Sequence, residues 1–160
     1  MSTLSVWRFD DPDGAERTVS TLKGLATQKL VTIHDAATVS WPAGAKKPKT
    51  RQLHDLAGAS ALGGAFWGML FGLLFLVPLL GAAIGAAAGA LVGKFSDIGI
   101  DDGFIKRTRD EITPGTSALF VLTTDAVLDR IQEAFADQRA ELLFTNLSKE
   151  QEDLLREAFA

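Results

Sequence analysis

Apolar positions along this chain form short periodic stretches toward both ends and one long unbroken run in the middle. Leu4 to Phe9 is apolar and aromatic and stops at Asp10-Asp11-Pro12-Asp13-Gly14, the pattern of a strand running into a turn. Asp11 as a cap, Pro12 at the first helical position, and Ala15, Val19, Leu22 and Ala26 at helical spacing predict a helix to about Lys29. Leu30 to Trp41 is rich in β-branched residues, and Val31, Ile33, Ala37 and Val39 alternate onto one face of a second strand interrupted by Asp35.

Beyond the middle run, Asp101 or Asp102 opens a short helix carrying Phe104, Ile105 and Ile112, and Thr113-Pro114-Gly115 stops it. Ser117 to Thr123 is nearly continuous in apolar residues, which predicts a strand at the sheet centre, covered on both faces. Thr124 or Asp125 then caps a helix with Leu128, Ile131, Ala134 and Phe135 on one face, and Glu141 to Thr145 makes a fourth strand. Ser148 and Gln151 stand at capping-box spacing for a last helix ending at Ala160. The order strand, helix, strand, insertion, strand, helix, strand predicts an α+β, ferredoxin-like (split βαβ) sandwich whose second and third strands are antiparallel neighbours. Residues 1–55 and 96–160 are its two halves, and 56–95 is an apolar helical hairpin inserted between strands two and three. Such an insertion should be replaceable: joining 1–54 to 95–160 through a short linker is expected to leave a folded domain.

Leu56 to Gly93 is 38 residues without a charge, close to the length of two membrane spans of about 20 residues each. Pro78 divides it into arms of roughly 31 and 26 Å, Leu56 to Leu76 and Leu79 to Phe95. Glycine recurs every fourth residue: Gly64, Gly68 and Gly72 in the first arm, and Gly81, Gly85, Gly89 and Gly93 in the second. Each costs a helix about 1 kcal/mol against alanine, and close approach of two helix backbones is the offsetting gain, so these stripes are expected to pack helices together. Ala82, Ala83, Ala86, Ala87, Ala88 and Ala90 leave the second arm small on several sides, as contacts between copies of the chain require.

Charge changes this picture at the flanks. Lys46, Lys47, Lys49 and Arg51 precede the run and Lys94, Lys106, Arg107 and Arg109 follow it, which places both flanks, and with them both termini, on the cytoplasmic side and the first four against anionic lipid. Against a spanning hairpin, the tip Phe75 to Leu80 has no polar residue and Trp67 falls mid-arm instead of in an interfacial belt. Residues 1–55 carry 8 basic and 6 acidic groups and residues 94–160 carry 8 and 14, a net −4 that gives no reason to expect nucleic acid.

The absence of cysteine excludes disulfides, thiolate metal sites and cysteine nucleophiles. His34 and His54 lack companions at metal-ligand spacing, and His54 suits an interfacial or capping role. Asp101-Asp102 and Glu150, Glu152 and Asp153 lie where helix N-termini favour negative charge. The glycines form neither a phosphate loop nor a dinucleotide fingerprint, and Ser60, Ser96 and Ser117 have no base in a known motif, so no catalytic, cofactor or metal residue is expected.

Trp41 to Gly93, with its period-four glycines, and TPGTSALFVLT from Thr113 to Thr123 resemble a prokaryotic family of glycine-zipper proteins described as membrane proteins of unknown function. The resemblance implies a membrane association and carries over no reaction or ligand. The expectation is a non-enzymatic, membrane-associated, self-assembling protein whose hairpin mediates lipid contact and oligomerisation. The alternative is a cytoplasmic, water-soluble homo-oligomer, open to lipid binding, whose hairpins share a glycine-packed core.

Overall fold

The structure, a computed structural model, describes residues 2–53, 64–76, 93–124 and 128–159. In chain order they form β1 (Ser2–Phe9), α1 (Gly14–Thr27), β2 (Ile33–Ser40), β3 (Lys49–Gln52), α2 (Gly64–Phe71), a π-helical turn (Gly72–Leu76) and a short helical stretch over 93–97. There follow α3 (Asp102–Glu111), β4 (Ser117–Thr124), α4 (Leu128–Ala134), a 3₁₀ turn (Ala136–Gln138), β5 (Glu141–Leu147) and α5 (Lys149–Phe159). The class is α+β, with a five-stranded sheet in the order β3-β2-β4-β1-β5 and every neighbouring pair antiparallel.

The expected pairing of the strands at 33–40 and 117–124 is present, and β4 lies at the centre with every residue but its last buried. The local signals also hold. Asp101 accepts from the Phe104 amide at 2.8 Å, and Ser148 and Gln151 exchange both hydrogen bonds of a capping box, at 2.9 and 3.2 Å.

Three expectations change. Helix α1 begins at Gly14, because Asp11 accepts from the Asp13 amide at 2.9 Å and closes a side-chain turn around Pro12 instead of capping a helix there. Strand β2 does not alternate onto one face throughout: between Ile33 and Asp35 the register slips, and the extra residue, His34, turns Ile33 to one side of the sheet and Ala37 and Val39 to the other. A fifth strand, β3, occupies Lys49–Gln52, which the sequence reading takes only as a basic flank.

The sheet separates two apolar clusters. On one side α1 and α4 bring Ala15, Leu22 and Ile131 against Trp7, Ile33, Leu119 and Val121. On the other side the first arm of the central run is itself the cover. Phe66, Trp67, Leu70, Phe71, Leu73, Leu74 and Phe75 are all buried, in one cluster with Leu4, Val6, Val39, Phe120 and Leu122. Residues 64–76 are thus core, whereas the sequence reading makes them part of an excisable hairpin.

They are also not a continuous α-helix, since the α-helical stretch gives way at Gly72 to a π turn. Arg109 of α3 donates to the carbonyls of Leu73 at 2.6 Å and Leu74 at 3.3 Å, tying this turn to α3. Among the described residues no helix is long and apolar enough to cross a membrane. The remainder of the predicted hairpin, 56–63 and 77–92, lies outside the described residues, as does His54.

Candidate functional site

Between the edge strand β3 and helix α2 lies an open groove of about 360 Å³, within the range of about 300–1,000 Å³ that small ligands use. Its floor comes from a helical repeat. Trp67, Phe71 and Phe75 recur at every fourth residue, which stacks them on one side of the helix. Their ring centroids follow one another at 5.7 and 6.2 Å, with planes 28° and 32° apart. Gly68 and Gly72 line the same groove one residue along, and a methyl group built on either would meet nothing within 4 Å. These two glycines open a space; within the described residues they bring no second helix backbone close. Gly93 is likewise open, Gly64 begins α2, and Gly81, Gly85 and Gly89 fall outside the described residues.

The facing wall is β3, and the period of two along a strand sorts its side chains. Ala37 and Val39, on the groove side of the sheet, pair with Gln52 and Thr50, so those two residues line the groove. Arg51 pairs with Thr38 and Lys49 with Ser40, positions that belong to the α1 side. Thr38 donates to Glu16 of α1 at 2.7 Å, and Arg51 donates to the same carboxylate at 2.5 Å. Hydrogen bonding from Arg51, aided by Thr38, holds the Glu16 carboxyl below its ordinary value against the opposing effect of burial. Lys47, just before the strand, lines the groove, and Lys46, Lys47 and Lys49 are exposed. The structure therefore does not gather the four flanking basic residues onto one surface: Lys47 reaches the groove, whereas Arg51 is engaged on the opposite side of the sheet. Of the basic residues after the run, Arg109 is bonded to Leu73 and Leu74 as described, and Lys106 and Arg107 are exposed.

The groove has a direction. Trp41 follows directly on Ser40, the partner of Lys49, and meets the Phe75 ring edge-on at 5.7 Å. At the other end Gln52 pairs with Ala37, which also faces Phe120, and Phe120 meets the rings of Trp67 and Phe71. The lysine end of β3 thus lies with Phe75 and the glutamine end with Trp67. At the glutamine end, the fully buried Asp35 accepts from the Ala36 amide at 2.9 Å and from the Gln52 side chain at 3.3 and 3.4 Å. The buried Asp35 carboxyl therefore lies beneath that end, and the exposed Lys47 stands at the other.

Trp67 carries a second signal. It is 2 % exposed, yet among the described residues its indole Nε1 has no hydrogen-bond partner. A buried unsatisfied donor costs about 1–3 kcal/mol, so Trp67→Phe relieves that penalty while losing ring volume. The substitution is expected to change stability by less than about 1 kcal/mol, against the 3–5 kcal/mol typical of truncating a buried aromatic to alanine. Urea unfolding measures it, and a loss above about 2 kcal/mol would show that the indole N–H is bonded after all.

Among the described residues no group of His, Asp and Glu is placed to hold a metal ion. His34, at the bulge, hydrogen-bonds Thr124 of β4. Sequence reasoning did not identify Phe71, Phe75, Thr50 and Gln52 as a site; the repeat Trp67-Phe71-Phe75 and the alternation within KTRQ are the signals that point to them.

A family model described as a protein of unknown function, DUF1269, matches residues 61–160. No curated protein and no solved structure matches the chain.

Proposed function

The chain belongs to the DUF1269 family, and from the chemistry of the groove we propose that it is a non-enzymatic, membrane-associated, self-assembling protein that meets anionic lipid through the lysine-bearing side of that groove. The observation that carries this reading is exposed Lys47 on the lining of the open aromatic groove, with exposed Lys46 next to it in the chain, a cationic rim beside an apolar recess. Basic residues near a charged leaflet contribute about 1 kcal/mol each. We read the scaffold as a ferredoxin-like sandwich with one added edge strand. In its support, α1 and α4, the helices between β1 and β2 and between β4 and β5, lie on the same side of the sheet. The central run then supplies the cover for the second side, and the glycines of its second arm are the proposed contact between copies.

A soluble homo-oligomer is the second reading. Its support is that the large apolar residues of 66–75 are engaged with the protein's own sheet and not turned outward. Vesicle flotation separates the two. The protein is expected to float with vesicles containing phosphatidylserine and not with neutral ones, and to be released as salt rises past the screening range. Changing Lys46 and Lys47 together to Gln should abolish flotation, whereas Arg51→Gln, at a residue paired with Glu16, should leave most of it. Flotation that ignores both charge and salt would exclude an electrostatic contact, and no flotation at all would favour the soluble reading.

A further inference from the structure

We infer that the groove between β3 and α2 binds one molecule of a single-chain anionic amphiphile, such as a fatty-acid carboxylate, with the head at Lys47 and the tail running along Phe75, Phe71 and Trp67. This deepens the lipid reading by naming a free ligand in place of a bilayer, and it can stand or fall separately. The shape suits something narrow: three rings in a row, from Trp67 to Phe75, extend over about 12 Å, while the volume sits near the lower end for ligand pockets.

The charge distribution fixes the orientation. Lys47 is exposed, and no carboxylate among the described residues pairs with it or lines the groove. At the Gln52 end the side-chain amide is already engaged with the buried Asp35 carboxyl, and among the described lining Lys47 is the one cation. An anion therefore settles at the Phe75 end, beside Lys47, and Thr50 of β3 offers a hydroxyl on the same wall. Gly68 and Gly72 keep the recess open at positions where a side chain would fit without touching the described protein. Glycine in an apolar helix is unfavourable, so space retained at that cost is consistent with space that is used.

The test uses the full chain in plain buffer, without vesicles, and ω-bromoundecanoate below its micelle-forming concentration. Bromine quenches a nearby indole. Saturable quenching is expected, and it should disappear in Trp67→Phe. The isomeric arm, α-bromoundecanoate, carries its bromine at the head and should quench Trp41 instead, while Trp7, on the other side of the sheet, reports neither. Gly68→Leu and Gly72→Leu fill the recess and should each weaken binding by roughly tenfold or more, the change expected when about two methylenes lose their burial. Their thermal melts should stay at or above that of the unaltered protein. Lys47→Gln should weaken the carboxylate by about threefold or more and leave undecanol binding unchanged, as a partly screened ion pair implies.

Absence of saturable quenching overturns the inference, as does full-strength binding in both leucine variants. Collapsed melts in both would also overturn it, because the recess would then not be open. Quenching of Trp67 by the free carboxylate without flotation on vesicles would sustain the groove and defeat the membrane reading. Flotation without quenching would do the reverse.

Discussion

Joining residue 53 to residue 95 through a short Gly-Ser linker is expected to give a product that lacks a cooperative melt and aggregates. The sequence pattern alone suggests the opposite, that the apolar run is a detachable insertion. Seven large side chains between Phe66 and Phe75 are buried against the sheet. At about 1.5–3 kcal/mol for each side chain removed from water, their loss forfeits roughly 10–20 kcal/mol. A domain of this size has about 5–15 kcal/mol in total. The sheet side that loses its cover, with Leu4, Val6, Val39, Phe120 and Leu122, becomes an exposed apolar surface of the kind that drives association. Circular dichroism with thermal melting and light scattering decides the matter. A soluble monomer with a sharp transition would show that the cover is dispensable.

Gly14→Ala is expected to destabilise the protein by about 3 kcal/mol, at the upper end of what a single added methyl does in a packed interior. A Cβ at this position would lie 2.4 Å from the Cβ and 2.7 Å from the Cγ of Phe9. Neither is the flexible end of a side chain, and Phe9, 1 % exposed, is held against Phe135. The strain has little room to dissipate. Next to it the Ala15 amide donates to the Ser117 hydroxyl at 2.9 Å, and that hydroxyl donates to the Asp11 carbonyl at 2.7 Å, so a shift of α1 away from Phe9 also pulls on the anchor to β4. The melting temperature should fall by roughly 6–12 °C. A change below 1 kcal/mol in urea unfolding would mean that the helix start and Phe9 are not in contact as described.

These two expectations mark what was and was not legible in the sequence. Short-range devices were: the Asp101 cap and the Ser148–Gln151 box depend only on residues three apart, and they form as read. The central position of β4 was legible too, because a strand nearly continuous in apolar residues needs two covers. The same pattern argues against detachability. Helices α1 and α4 cover one side only, and the other cover has to come from the central run.

Periodicity could not say so. Residues 65–71 are apolar on every side, and a helix without a polar face gives no indication of whether a sheet, a lipid or another helix will cover it. Strand β3 was hidden for a different reason. Lys49, Thr50, Arg51 and Gln52 have no apolar alternation, and they are extended because the free edge of β2 offers them hydrogen bonds. The groove was therefore not readable either: its two walls belong to segments some twenty residues apart, and its volume exists only once both are in place.

The unequal standing of the two strands beside β2 has a dynamic consequence. Strand β4 is paired along both edges and buried on both sides, so its amides exchange with solvent only when the whole molecule opens. Strand β3 is four residues long, largely exposed, and paired along one edge only among the described residues. Its local opening requires a fraction of the global unfolding free energy. The wall of the groove opposite Trp67, Phe71 and Phe75 is thus the part of the sheet that yields first. A molecule too bulky to slide in from the end could enter sideways by lifting β3 while the floor and the central strand stay intact.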